Sequence, residues 1–126
     1  MPLRCLIVDD NASFLKAARA LLEREGVRVV GVASNGAEAL TLARELRPDV
    51  ILLDIALGAE SGLEIAHRLV EADPDGARVI LISTHAEADF ADLIEATPAV
   101  GFVPKSELSA SAVRLLAVGP NEPPGK

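Results

Sequence analysis

Three aspartates, two hydroxyls and one lysine stand where apolar runs end. Asp9 and Asp10 follow the run Leu3–Val8, and Asp54 follows Val50–Leu53. Ser83 and Thr84 follow Val79–Ile82, and Lys105 sits just past Val100–Val103. Carboxylates brought together repel one another, and their pKa rises unless a cation offsets the charge. An oxygen-only ligand set suits Mg²⁺, which takes one or two carboxylates and keeps several waters. A hydroxyl and an ammonium on the opposite flank would hold the oxygens of a phosphoryl group. Phosphoryl transfer asks for little more than a metal, a positive side chain and a positioned nucleophile. An aspartate can be that nucleophile, forming an aspartyl phosphate. Taken singly, each residue has an ordinary explanation. Asp10 reads as a helix N-cap, Ser83 as a capping hydroxyl and Lys105 as a solvated surface lysine. His67 and His85 share no metal-ligand spacing. The chemistry rests on all the strand ends being right together.

For those ends to meet, the apolar runs must lie side by side. Five of them, the four above and Val27–Val32, are β-branched or Leu-rich with little polar alternation. Strands buried on both faces read this way. Helical patterns separate them. Phe14, Leu15, Ala18, Leu21 and Leu22 keep helical spacing, with Asn11 as N-cap and Gly26 just past the end. Ala39, Leu40, Ala43 and Leu46 form a second face, stopped before Pro48. Leu63, Ala66, Leu69 and Val70 form a third, stopped by Asp73-Pro74-Asp75-Gly76. Phe90, Leu93 and Ile94 form a fourth, and Leu108, Val113, Leu115 and Leu116 a short fifth. The alternation predicts an α/β fold: a (βα)₅ doubly wound parallel five-stranded sheet of the flavodoxin-like order 2-1-3-4-5, with right-handed crossovers. In such sheets ligands bind outside the carboxyl ends of the strands. In that order the first and third strands are neighbours, so the three carboxylates converge.

A length of 126 residues suits one domain. We expect it over residues 1–118, with the Gly/Pro-containing stretch 119–126 as a flexible tail. Half the chain is hydrophobic but only three residues are aromatic, all Phe, so the core must be aliphatic. The formal charge of −7 and the lack of a basic run argue against nucleic acid and anionic membranes as partners. No signal peptide opens the chain and no apolar stretch approaches the roughly 20 residues of a membrane span, so a cytoplasmic location is expected. The single cysteine, Cys5, excludes an internal disulfide and reads as a small buried hydrophobe.

Leu6-Ile7-Val8-Asp9-Asp10-Asn11 resembles the opening of a receiver domain of the bacterial response-regulator kind. So do Val50-Ile51-Leu52-Leu53-Asp54-Ile55 with Ser61-Gly62-Leu63-Glu64, then Val79–Thr84, then Gly101-Phe102-Val103-Pro104-Lys105. The resemblance covers roughly residues 3–118 at the family's usual spacing. It implies that Asp54 is the phosphoacceptor and that Asp10 and Asp54 ligate Mg²⁺. Asp9 would act through a bound water and the backbone carbonyl of Ala56 would supply another oxygen. Ser83 and Lys105 would hold the phosphoryl oxygens, and Phe102 stands at the family's rotating aromatic switch. It further implies a stand-alone signalling module that receives its phosphoryl group from a histidine kinase or phosphotransfer protein and acts on a downstream protein. Such a module is no enzyme on outside substrates, catalysing only its own phosphorylation and dephosphorylation.

Three positions depart from the family pattern. Gly58 replaces the frequent proline four residues after the acceptor, which favours a more mobile loop. Ser106 replaces the proline that often follows the lysine in a cis bond. Thr84 is bulkier than the usual Ala or Gly and offers a second hydroxyl. Three other readings compete. A haloacid-dehalogenase-type phosphotransferase needs an Asp-x-Asp pair, which Asp9-Asp10-Asn11 does not provide. An FMN carrier needs a hydroxyl- and Gly-rich phosphate loop and aromatics. A receiver fold working as a phosphorylation-independent binding module remains the closest alternative.

Overall fold

A computed structural model describes residues 2–84 and 91–118 of the chain. The elements run β1 (Arg4–Val8), α1 (Ala12–Arg24), β2 (Arg28–Ala33), α2 (Gly36–Leu46), β3 (Val50–Asp54), β4 (Ala56–Leu57) and β5 (Glu60–Ser61). They continue with α3 (Gly62–Ala72), β6 (Arg78–Ser83), α4 (Ala91–Glu95), β7 (Gly101–Pro104), a 3₁₀ turn (Lys105–Glu107) and α5 (Ala110–Val118). The five long strands form one parallel sheet in the order β2-β1-β3-β6-β7. Counting long strands alone, this is the expected flavodoxin-like order 2-1-3-4-5. The short β4 and β5 pair with each other antiparallel, in the loop directly after Asp54.

Alternate side chains of each strand enter opposite faces of the sheet, and two aliphatic cores result. One gathers Cys5, Ile7, Val50, Leu52, Ile80, Ile82 and Val103 against Ala18 and Leu22 of α1 and Ala110 and Val113 of α5. The other gathers Leu6, Val8, Ile51, Leu53, Val79, Leu81 and Phe102 against Ala39 of α2 and Ile65, Ala66 and Leu69 of α3. Cys5 is wholly buried, and burial pushes its thiol up to about 12, so it packs as an inert hydrophobe. Leu115 departs from the expected face and is 75% exposed, because it lies about 200° around the helix from the buried Val113. The expectation for Phe90, and that for the tail, fall outside the described residues.

Helix ends follow local chemistry. Asn11 caps α1 by accepting from the Phe14 N–H at 3.1 Å, and Asn35 caps α2 by accepting from the Glu38 N–H at 2.9 Å. Gly26, at φ +95°, turns the chain out of α1. Glu25 ties the far end of α1 to α5: its Oε1 accepts the Ala110 N–H at 2.8 Å, and its carbonyl accepts from Arg114. Among the described residues no helix is long and apolar enough to cross a membrane.

The tightest passage lies behind Asp54. The Gly62 N–H donates to the Ile55 carbonyl at 2.6 Å. A Cβ at Gly62 would sit 1.9 Å from the Asp54 carbonyl oxygen. No side chain fits there, so glycine lets α3 begin against the strand that carries the site. Gly62→Ala is therefore expected to cost about 1–3 kcal/mol through overpacking, a fall in melting temperature of very roughly 4–12 °C. A thermal melt showing parental stability would mean that the loop relaxes freely.

Candidate functional site

The carboxyl ends of β1, β3, β6 and β7 meet on one edge of the sheet. β1 and β3 are direct neighbours, with Val8 paired to Leu53. That register carries Asp9, Asp10 and Asp54 together, and one carboxylate oxygen from each lies within 4.8 Å of the others. Asp9 is fully buried, Asp54 is 6% exposed, and Asp10 faces solvent. β6 is the next strand over, so Ser83 ends buried beside Asp54 while Thr84 lies exposed. Lys105 arrives from the far side of β6, at the end of β7.

The buried charges are paired one by one. The Asn11 N–H donates to Asp9 Oδ1 at 2.8 Å. Lys105 Nζ reaches Asp9 Oδ2 at 2.5 Å and Asp54 Oδ2 at 3.3 Å. The Ala56 N–H donates to Asp54 Oδ1 at 3.2 Å. One ammonium therefore bridges two carboxylates that would otherwise repel across adjacent strands. Burial works against the charge on Lys105, but its hydrogen bond to Asp9 and the attraction of Asp54 and Asp9 outweigh that, holding its pKa above the usual value. Asp54 is also raised: burial dominates, the Asp9 charge adds to it, and the Ala56 N–H and Lys105 only partly compensate. A carboxylate left short of positive charge in this way suits a cation. Asp10 supplies the open side of the cluster, and Gly58, at φ +58°, leaves room there; a Cβ on it would lie 3.4 Å from Asp10 Oδ2. The donor set thus fits a hard divalent cation.

In the loop after Asp54 the positive φ of Gly58 turns a small hairpin between β4 and β5. Glu60 of that hairpin accepts from the Gly36 N–H at 2.9 Å, tying it to the first residue of α2. The Lys105–Ser106 bond is trans, as is every peptide bond described. Phe102, at the position of the family's aromatic switch, is 9% exposed and lies inward in the second core, paired across the sheet with Leu81. With no hydroxyl, the ring gives up no hydrogen bond on burial. Sequence reasoning treated Phe14 only as core; its ring lies beneath Lys105 Nζ, 4.4 Å from ring centroid to nitrogen. The signal was available in Asn11, whose cap puts the residue three positions on in the first turn of α1, beside the strand ends.

Residues 5–116 match the model of the response regulator receiver domain. A putative transcriptional regulator from Pseudomonas aeruginosa is 41% identical over 118 residues, covering 90% of this chain and 56% of that protein. The chain thus spans about half the length of the curated relatives it matches. Among solved structures, the signal receiver domain of the putative response regulator NarL from Mycobacterium tuberculosis has a TM-score of 0.80 at 33% identity, covering 94% of this chain and 98% of that one. A response regulator protein from Burkholderia pseudomallei, solved with a phosphorylated aspartic acid, calcium ion and citrate, has a TM-score of 0.78 at 29% identity, covering 95% and 68%.

The raised Asp54 pKa has a stability consequence. Below the ordinary carboxylate range, near pH 4 or less, the group is protonated in both folded and unfolded chains and costs nothing. As pH rises through that range the unfolded chain ionises first, and stability falls until the folded group ionises too. Removing the charge removes the penalty. In EDTA at pH 7, Asp54→Asn is expected to melt above the parent, with the gap closing as pH falls below about 4. A variant melting at or below the parent at neutral pH would show that the Lys105 contact outweighs burial.

Proposed function

The chain belongs to the response regulator receiver domain family of two-component systems, and from that premise we propose that it is switched by phosphorylation of Asp54. The observation that carries this reading is the convergence of Asp9, Asp10 and Asp54 with Lys105 inserted between two of them. The Burkholderia pseudomallei protein, solved with a phosphorylated aspartic acid and a calcium ion, supports it.

In this proposal Asp10, Asp54 and the carbonyl of Ala56, with Asp9 behind a water, would hold Mg²⁺, which would supply the positive charge that an incoming anionic donor needs. Both Asp9 oxygens are already engaged, one by Lys105 and one by the Asn11 N–H, which favours its indirect role. Asp10 is exposed and open to direct ligation. A carboxylate oxygen of Asp54 attacks the donor phosphorus, the bond to the leaving group breaks, and the aspartyl phosphate remains. Lys105 and Ser83 take the phosphoryl oxygens, with Thr84 as a second hydroxyl at the rim. The donor is a histidine kinase or phosphotransfer protein, and the output is a downstream protein rather than a chemical product. The chain catalyses only its own phosphorylation and dephosphorylation, in the cytoplasm.

Phe102 specifies how the change travels. It stands one strand over from the site and already inward, so phosphorylation would tighten a conformation that is populated beforehand. The same burial favours a second reading, a receiver fold set in one conformation that binds its partner without phosphorylation.

Incubation with acetyl phosphate and Mg²⁺, followed by intact mass, separates the two readings. One added phosphoryl group is expected in the parent and none in Asp54→Asn or in EDTA. No labelling of the parent would favour the second reading, and full labelling of the Asn variant would move the acceptor elsewhere. Mg²⁺ titrations of Asp9→Asn and Asp10→Asn should show the larger loss of affinity for Asp10→Asn, by about tenfold or more if a direct ligand is lost. Equal losses, or the reverse order, would refute the placement of the two.

A further inference from the structure

Phe14 sits at the mouth of the acidic cluster without contributing any polar atom to it. Its ring is half-buried, and Lys105 Nζ stands 4.4 Å from the ring centroid, well inside the range at which an ammonium is attracted to an aromatic face. The Lys105 side chain is 12% exposed, so the ring supplies part of the wall that covers it. The same ammonium is the one that bridges Asp9 and Asp54.

A closed chain of contacts fixes the ring. Asp9 Oδ1 accepts from the Asn11 N–H, and Asn11 Oδ1 accepts from the Phe14 N–H. The Phe14 ring lies under Lys105, and Lys105 returns to Asp9 Oδ2. The residue that caps α1 therefore also sets where the ring can lie, and the buried aspartate anchors both ends of the circuit. A lysine on a flexible four-carbon stem would otherwise sample many positions at a rim open to water. An aromatic face restrains it without offering a lone pair, so it does not compete for the ammonium's hydrogen bonds.

We infer that Phe14 is a positioning residue for Lys105: its ring holds the ammonium over the acidic cluster, ready to transfer from carboxylate to phosphoryl oxygen. This deepens the phosphoacceptor reading and rests on it. The ring should matter for the phosphoryl-bearing state and not for the metal, because it touches the lysine and no carboxylate is involved in the contact.

Beryllofluoride with Mg²⁺ serves as the probe for the phosphoryl-bearing state, on the full chain and on Phe14→Leu and Phe14→Tyr. Leucine keeps apolar bulk but has no π face, whereas tyrosine keeps the face. Phe14→Leu is expected to weaken beryllofluoride binding roughly fivefold, while Phe14→Tyr stays within about twofold of the parent and Mg²⁺ alone binds all three alike. An independent signature needs no ligand. The Lys105 ε-methylene protons should be shifted upfield by the ring in the parent and in Phe14→Tyr, and should return to ordinary lysine values in Phe14→Leu. A parent that fails to bind beryllofluoride ends the phosphoacceptor reading and this role with it. A parent that binds, with Phe14→Leu binding equally tightly or Mg²⁺ affinity falling in step, overturns the positioning role alone. Absence of the upfield shift in the parent overturns it as well.

Discussion

Two carboxylates on neighbouring strands, buried and sharing one ammonium, set the terms for the rest of this molecule. Asp9 and Asp54 are pulled out of water by the same sheet that brings them together. Burying one ionised carboxylate is costly, and burying two side by side compounds the cost through repulsion. Lys105 offsets part of it by reaching both. The compensation is incomplete at Asp54, whose proton is held more tightly than usual. The site is thus kept short of positive charge. A cation bound beside Asp10 would restore the balance at that one place.

Much of the surrounding architecture can be understood as support for that imbalance. Gly62 lets α3 start in contact with the Asp54 backbone. The small hairpin after Asp54, tied to α2 through Glu60, gives the loop a definite course past Asp10. Asn11 serves the Asp9 carboxylate with its backbone and the first turn of α1 with its side chain. Each contact is local, yet together they leave Asp10 on the open side and Asp9 shut in. The two acidic neighbours in sequence therefore have different chemistry. Their difference comes from which side of the strand end each faces.

The two cores explain how a nearly aromatic-free chain holds such a site still. Every long strand except the edge pair is buried on both faces by aliphatic side chains, so the strand ends cannot drift independently. Phe102 belongs to one of these cores. The site is therefore joined to the outer surface by packed aliphatic contacts that have few alternative arrangements.

Sequence alone determined the five long strands, the order of their sheet and the edge at which the polar run ends meet. Apolar runs with period-free burial, helices bounded by Asn11, Gly26 and Pro48, and polar residues at the run ends are all local signals, and local signals survive in a one-dimensional reading. The same reading placed Asp9, Asp10, Asp54, Ser83 and Lys105 near one another because parallel order makes strand ends neighbours. Tertiary structure decided the rest. The bridge that Lys105 makes between Asp9 and Asp54, the ring of Phe14 beneath it, the inward set of Phe102 and the hairpin that Gly58 turns depend on side-chain directions and on distances between residues far apart in the chain. Such distances are set by packing the two cores against one sheet, and no run of residues taken by itself carries them.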